Sequence, residues 1–92
     1  MKVKRRGPII DAIEIKSDNA IAVSDWIIGH GVDPWIKFSL GGSLDGFSWL
    51  VPNWSVVKAG IGDCLVSEAG DAGPFHRITA EALASQFVII EP

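Results

Sequence analysis

The sequence predicts an α+β fold: a single small domain over residues 1–92, with a mostly antiparallel sheet, one N-terminal helix and one short C-terminal helix. Three observations support this prediction. Short apolar segments alternate with turn residues along most of the chain, which is typical of antiparallel strands. Two other segments carry apolar residues at helical spacing after a capping residue. A strand-like segment stands near each terminus, so we expect both ends to lie in strands.

The first strand is predicted over Pro8–Lys16. Ile9, Ile13 and Ile15 fall on one face of this segment, which favours a half-buried strand, although Asp11 falls on the same face. Pro8 at the start is tolerated there because the first residue of a strand does not need its N–H group.

A helix is predicted over the next segment, Ala20–Ile28. Ser17 or Asp18 can accept from its first free amides as the N-cap. The buried stripe consists of apolar residues at helical spacing, broadened by a pair seven residues apart. Its members are Ala20, Val23 and Ile27, with Ile21 and Ile28 as the pair. The glycines of Gly29–Gly31 are expected to end the helix.

The central part of the chain is rich in glycine and aromatic residues and predicts three strands joined by turns. The predicted strands are Trp35–Leu40, Phe47–Val51 and Trp54–Lys58. Asp45-Gly46 is a strong signal for a tight turn. A second turn is predicted over Ala59–Asp63.

The last thirty residues predict three more strands and the second helix. The strands are Cys64–Ser67, Phe75–Ile78 and a buried closing strand, Phe87–Ile90. Thr79 is expected to cap a short helix over residues 80–86. The predicted order of elements is therefore β-α-β-β-β-β-β-α-β.

Charge is unevenly distributed along a chain whose net charge is −3. Four basic residues lie at the N-terminus, namely Lys2, Lys4, Arg5 and Arg6, while the remainder carries four basic and eleven acidic residues. We interpret the basic segment as the solvated start of a strand. A contact with nucleic acid or an acidic partner is the alternative, which the acidic remainder disfavours.

Several classes of protein are disfavoured by composition. The only cysteine is Cys64, so no intrachain disulfide forms, which fits a reducing compartment. No apolar run reaches the length of about 18 residues that spans a bilayer, and no signal peptide is expected.

Catalytic groups are sparse. Cys64, His76 and Asp63 could be imagined as a thiol triad, but no nucleophile-loop signature accompanies them. No pair of metal ligands has a useful spacing, and the glycine-rich segments lack the further residues of a phosphate loop. We expect no enzymatic activity, no cofactor and no metal.

Four tryptophans are the unusual feature of a chain without tyrosine. Tryptophan is enriched at binding hot spots, and it also fills cores. Core filling is the favoured interpretation of Trp26 and Trp49, whereas Trp35 and Trp54 are evenly balanced. The binding residues we predict are Trp35, Trp54, Phe47 and Trp49.

Both ends of the chain carry motifs that resemble a family of small phage-encoded accessory proteins of uncharacterised function. These motifs are the basic start followed by Gly7-Pro8-Ile9-Ile10-Asp11-Ala12, the Asp18-Asn19 pair, Gly62-Asp63 before an apolar strand, and Phe75. The sequence departs from the family pattern at four places: Asp11, where the family usually has Glu; Ile61, where it has proline; His76-Arg77-Ile78, where it often has Pro-Cys-Lys; and Thr79-Ala80-Glu81, where it has Pro-Asp. The resemblance implies a product of a tailed phage or prophage.

Two functions follow as hypotheses. The first is a non-enzymatic accessory protein of the host cytoplasm that binds a host or phage protein, or sequesters a small ligand. The alternative is a virion component, such as a minor capsid or decoration protein. A homo-oligomer is compatible with either function, because a small chain with positive mean hydropathy can cover apolar surface with a second copy.

Overall fold

The computed structural model describes residues 1–92 and confirms the predicted α+β class, with a strand at each terminus. The strands are β1 Lys2–Lys4, β2 Ile10–Glu14, β3 Trp35–Phe38, β4 Leu44–Leu50, β5 Val56–Gly60, β6 Asp63–Val66, β7 His76–Thr79 and β8 Val88–Glu91. The helices are α1 Ala20–Gly29 and α2 Ala80–Gln86. Neither helix is long and apolar enough to cross a membrane.

The strands form two antiparallel sheets. The larger has the order β7-β6-β2-β1-β8, and the smaller has the order β3-β4-β5. The large sheet lies between two cores because its inner strands alternate apolar side chains between their faces. In β6, for example, Cys64 and Val66 contribute to one core and Leu65 to the other.

The two cores differ in size and composition. The small core joins the large sheet to α2 through Val3, Ala12, Cys64, Val66, Leu83 and Phe87. The aromatic core joins the large sheet to α1 and the small sheet through Ile15, Val23, Ile27, Leu44, Phe47, Trp49, Val51, Ala59, Leu65 and Phe75.

Helix α1 buries the predicted Val23 and Ile27, but its start and its flank differ from the prediction. The N-cap position is Asn19 rather than Ser17 or Asp18. The Asn19 side chain faces back towards the preceding strand: its Oδ1 accepts from the Lys16 N–H and its Nδ2 donates to the Glu14 carbonyl, both at 2.8 Å. It therefore fixes the turn before the helix instead of capping it.

Ile21 and Ile28 do not broaden the buried stripe. They are 80% and 52% exposed, because the small sheet and β2 cover only the face that carries Val23 and Ile27. Ile9 is also exposed, since β2 begins one residue later, and of the three predicted inward residues only Ile13 and Ile15 pack into the core.

The predicted Asp45-Gly46 turn is wrong, since both residues lie inside β4. Gly46 is needed there for a different reason: a Cβ at this position would lie 2.4 Å from the Ala59 carbonyl oxygen. The β3–β4 turn instead uses Gly42, whose φ of +85° favours glycine and whose N–H donates to the Ser39 carbonyl at 2.9 Å.

The boundaries of β5 also differ from the prediction. Trp54 lies in the preceding turn and not in the strand, while Ala59 and Gly60 belong to the strand and not to the following turn. That turn consists of Ile61 and Gly62, with Gly62 at φ +94°.

The termini differ most from the prediction. The basic segment contains a strand, β1, which the predicted order lacks and whose Val3 is fully buried. The closing strand β8 is exposed and not buried: Val88, Ile89 and Ile90 are 64%, 48% and 48% exposed. The reason is its place at the edge of the sheet, where β1 is its only neighbour and Phe87 takes the buried position beside α2.

Candidate binding cleft

The turn that connects β4 to β5 places Trp54 in the solvent. Two backbone hydrogen bonds close the turn: the Trp54 N–H donates to the Val51 carbonyl, and the Val51 N–H donates to the Ser55 carbonyl, both at 2.9 Å. The Ser55 N–H also donates to Asn53 Oδ1 at 3.0 Å. These bonds hold Trp54 at φ +67°, and the Trp54 side chain is 82% exposed.

This backbone conformation is costly for a bulky side chain. Trp54 is the only residue other than glycine with a positive φ in the chain. Such strain costs on the order of 1–3 kcal/mol, persists only where the surroundings enforce it, and clusters at functional sites. Folding leaves the Trp54 indole almost fully in water, so the favourable free energy of burying it is still available to a partner. The Trp54 turn is therefore the strongest candidate for a functional feature of the chain.

Beside Trp54 lies a cleft of about 260 Å³. Three separate segments supply its lining: Val32 after α1; Trp49, Leu50, Val51, Pro52 and Trp54 around the turn; and Ala72, Pro74 and Phe75 before β7. All nine residues are apolar. The cleft can therefore hold an apolar group, and the only polar side-chain groups of its lining residues are the indole N–H groups of Trp49 and Trp54.

Aromatic packing makes the floor of the cleft rigid. The Trp49 and Phe75 rings lie with centroids 5.2 Å apart, and the Trp26 ring meets Phe75 edge-on at the same distance. His30 stacks on Trp26 at 3.9 Å and its Nδ1 donates to the Trp26 carbonyl at 2.7 Å. Since Trp49 and Phe75 are fully buried, the floor is part of the aromatic core.

The opposite wall of the cleft is held by a small hairpin. Gly70 and Gly73 exchange backbone hydrogen bonds of 2.9 and 3.0 Å. Gly73 has φ +104°, and a Cβ at this position would lie 3.6 Å from Pro52 Cδ. The hairpin therefore packs closely against the turn, which fixes the width of the cleft.

The four predicted binding residues do not come together in one site. Trp54 forms the rim of the cleft and Trp49 its floor. Phe47 is buried in the aromatic core and does not reach the cleft. Trp35 is 57% exposed, but it pairs with Ser48 on the outer face of the small sheet, away from the cleft.

The proline and valine residues of the lining were not predicted from the sequence. Pro52 and Pro74 carried only a turn signal, and Val32 follows the end of a helix. Pro52-Asn53 before an aromatic residue was the one local hint that Trp54 is exposed, since it marks a turn.

A second concavity lies on the outer face of the small sheet near Trp35. Its floor is formed by Gly46 and Gly60, which pair with each other, and its sides include Lys37, Lys58 and Ser48. Lys37 lies 3.7 Å from the Asp45 carboxylate. Because this surface is charged and its Lys37 is already paired with Asp45, it is a weaker candidate for apolar recognition than the cleft beside Trp54.

His76 and Asp63, two of the three residues considered for a thiol triad, contact charged residues other than Cys64. His76 Nε2 lies 3.0 Å from Glu68, and Arg77 lies 3.5 Å from Asp63. Cys64 is buried, and this burial, together with the charges of Glu14 and Asp63, raises its thiol pKa to about 11. The thiol is therefore protonated at neutral pH, a poor state for a nucleophile.

The basic N-terminal segment makes contacts within the chain. Lys2 forms an ion pair with Asp11 on the neighbouring strand. The Arg5 guanidinium lies 4.4 Å from the centre of the Phe87 ring, 3.6 Å from Glu68, and donates to Gln86 at 3.0 Å. These contacts attach the segment to the rest of the chain, so Lys2 and Arg5 are not the solvated residues that the sequence predicts.

The chain matches no protein-family model, no curated protein and no solved structure.

Proposed function

We propose that this chain is a non-enzymatic binding protein that captures a partner protein through the cleft beside Trp54. The observation that carries the proposal is the Trp54 turn, in which a tryptophan is held in a strained conformation and in water, beside an apolar cleft. Binding of a partner would be favoured, because it would bury an indole that folding leaves exposed.

A protein partner is favoured over a small ligand by the size and lining of the cleft. Sites for small molecules usually enclose about 300–1,000 Å³ and place a few polar groups around the ligand. This cleft is slightly below that range, at about 260 Å³, and the only polar side-chain groups of its lining residues are two indole N–H groups. It matches instead one large apolar side chain of a partner, with Trp54 and Leu50 around it, which is the usual arrangement of a binding hot spot.

In the phage context that the motifs imply, the partner is a host or phage protein and the site of action is the host cytoplasm. Neither a cofactor nor a metal ion is part of this proposal, since all groups needed for apolar recognition are side chains of the cleft.

Selection of random peptides on the folded protein tests this function, with Trp54→Ala and Trp35→Ala as matched variants. We expect the selected peptides to share one large apolar residue and to lose at least about 30-fold in affinity on Trp54→Ala, since a hot-spot residue contributes about 2 kcal/mol or more. Trp35→Ala removes an equally large exposed side chain elsewhere and is expected to leave binding unchanged. Equal binding to wild type and Trp54→Ala would overturn the proposal.

A virion component remains the second candidate, and the exposed edge strand β8 favours it, because sheet edges are suited to assembly. Quantitative mass spectrometry of purified particles tests this candidate. A fixed, stoichiometric amount of the chain in the particles would support it, and absence of its peptides would exclude it.

A further inference from the structure

The sheet edges of the molecule are protected unequally. Four strands have only one neighbour: β3 and β5 in the small sheet, and β7 and β8 in the large sheet. Three of these edges carry a basic residue inside the strand, namely Lys37, Lys58 and Arg77, which discourages pairing with another chain. Strand β8 instead has three consecutive apolar residues, Val88-Ile89-Ile90.

Strand β8 also lacks cover on its side chains. All four of its residues are exposed, although valine and isoleucine are the residues that most favour a paired strand. An edge strand directs half of its N–H and C=O groups away from the sheet, so β8 offers both apolar side chains and free backbone groups to a further strand.

An irregularity in the pairing of β1 with β8 determines which side chains share a face. Lys4 pairs with Val88 and Val3 with Ile89, but Lys2 pairs with Glu91, so Ile90 is an extra residue. Paired residues in an antiparallel ladder point to the same face. Lys2 and Lys4 share a face of β1, because they are two residues apart. Val88 and Glu91 therefore also share a face, although they are three residues apart.

This arrangement makes the β8 edge complementary to itself. In a twofold dimer with antiparallel β8 strands in full register, Val88 of one copy faces Glu91 of the other. Since Lys4 pairs with Val88, Glu91 of the second copy then lies two strands from Lys4, within reach of these long side chains. Lys4 has no ion pair within its own chain, and Glu91 has no basic group within 4.0 Å, although its ladder partner is Lys2.

We propose that β8 pairs with β8 of a second copy of this chain, so that the two large sheets join into one antiparallel sheet of ten strands. The twofold axis runs perpendicular to the sheet between Ile89 and Ile90. Because each strand contributes only four residues, the contact is at the weak end of specific interfaces, and we expect the dimer to dissociate on dilution.

Light scattering coupled to size exclusion, over protein concentrations from about 10 µM to about 1 mM, tests the pairing. We expect the wild-type mass to rise with concentration from that of the 9.9 kDa chain towards twice that value. Val88→Glu places two like charges opposite each other in the dimer, but within one chain it places a carboxylate beside Lys4. This variant is expected to fold and to stay monomeric over the whole range.

A charge exchange then tests the register. Adding Glu91→Lys to Val88→Glu restores opposite charges across the interface and is expected to restore the dimer, although it also places two lysines side by side within one chain, at positions 2 and 91. Val56→Glu, an exposed strand residue on the small sheet, is the matched control and should not change the mass. A wild-type monomer throughout the range, a dimeric Val88→Glu, or loss of the dimer in Val56→Glu would overturn the proposal. Circular dichroism of each variant shows whether it is folded.

Discussion

The two cores that pack on opposite faces of the large sheet lead to two different exposed features, the Trp54 turn and strand β8. On one face, ten buried residues including Phe47, Trp49 and Phe75 form the aromatic core, and the strained Trp54 turn rests on it. On the other face, six buried residues form the small core, and the chain leaves it through Phe87 into the uncovered strand β8. The turn exposes one apolar side chain and needs a strained backbone conformation at Trp54 to do so. Strand β8 exposes three apolar side chains from a regular strand conformation.

The difference indicates two kinds of recognition. A well-packed floor can hold a side chain in an unfavourable conformation, as an anchor site requires. An edge strand needs no such support, because its free backbone groups and side chains are presented by regular pairing alone. We therefore expect the turn to bind by its side chain and β8 by strand addition. Four experiments test how far the two sides of the molecule differ.

The largest effect is expected from removing the floor of the cleft. Trp49→Ala should lower the free energy of unfolding by about 3–5 kcal/mol, because it removes a buried aromatic side chain and leaves a cavity. Leu83→Ala in the small core should cost less, about 2–3 kcal/mol, since the side chain is smaller and the short helix α2 can move inward. Urea denaturation measures both. An equal or larger cost for Leu83→Ala would contradict the ranking of the two cores.

Alkaline pH should lower the free energy of unfolding through Cys64, which lies in the small core. The Cys64 thiol ionises near pH 9 in the unfolded chain, but burial raises its pKa to about 11 in the folded protein. The unfolded state therefore loses a proton first, and stability falls between about pH 9 and pH 11, by roughly 2–3 kcal/mol. Cys64→Ala should be less stable at neutral pH but should lose less over this range. Parallel pH profiles of the two proteins would contradict this cause.

Glycine should have opposite effects on the two surfaces. Trp54→Gly should be more stable than Trp54→Ala by about 1 kcal/mol, because a positive φ is unfavourable for any residue with a Cβ. Ile89→Gly should instead be less stable than Ile89→Ala by about 0.5–1 kcal/mol, because glycine loses more chain entropy in a strand. Thermal unfolding of the four variants tests this reversal, and glycine acting in the same direction at both sites would contradict it.

The smallest effect is expected at acid pH and concerns the ion pair between Lys2 of β1 and Asp11 of β2. Asp11 accepts a hydrogen bond from Lys2, which lowers the pKa of its carboxyl below the usual value. The ionised carboxylate therefore adds to the free energy of unfolding above the pKa that Asp11 has in the unfolded chain. This contribution is lost as the pH falls through the lower pKa of the folded protein. Asp11→Asn should therefore show a slightly smaller acid loss of stability below about pH 4. Identical acid profiles of variant and wild type would show that this pair does not stabilise β1.

Local patterns in the sequence were sufficient for the class of fold and for most elements. Apolar patterns located the inner strands β2, β4 and β6. Thr79 was correctly predicted as a cap, since its Oγ1 accepts the Ala82 N–H at 3.1 Å. Strand β1 was missed because all four residues around Val3 are basic or lie at the chain end, and because the burial of Val3 depends on partners far away in sequence.

The candidate cleft depended on contacts that local patterns do not contain. Val32, Trp54 and Pro74 lie in three segments that only the arrangement of the two sheets brings together. Alternation likewise could not show that β8 lies at an edge, because the order of strands in a sheet is set by long-range pairing. For the same reason the apolar character of Val88–Ile90 suggested burial although the strand is exposed.

Strand β6 has a consequence for how the molecule opens. It is hydrogen-bonded to β2 on one side and to β7 on the other, and its side chains enter both cores. Neither core can come apart without exposing β6, so its amide protons should exchange with solvent deuterium only when the whole chain unfolds. The exchange rate of Leu65 would then report the global stability, while the amides of β8 exchange far earlier.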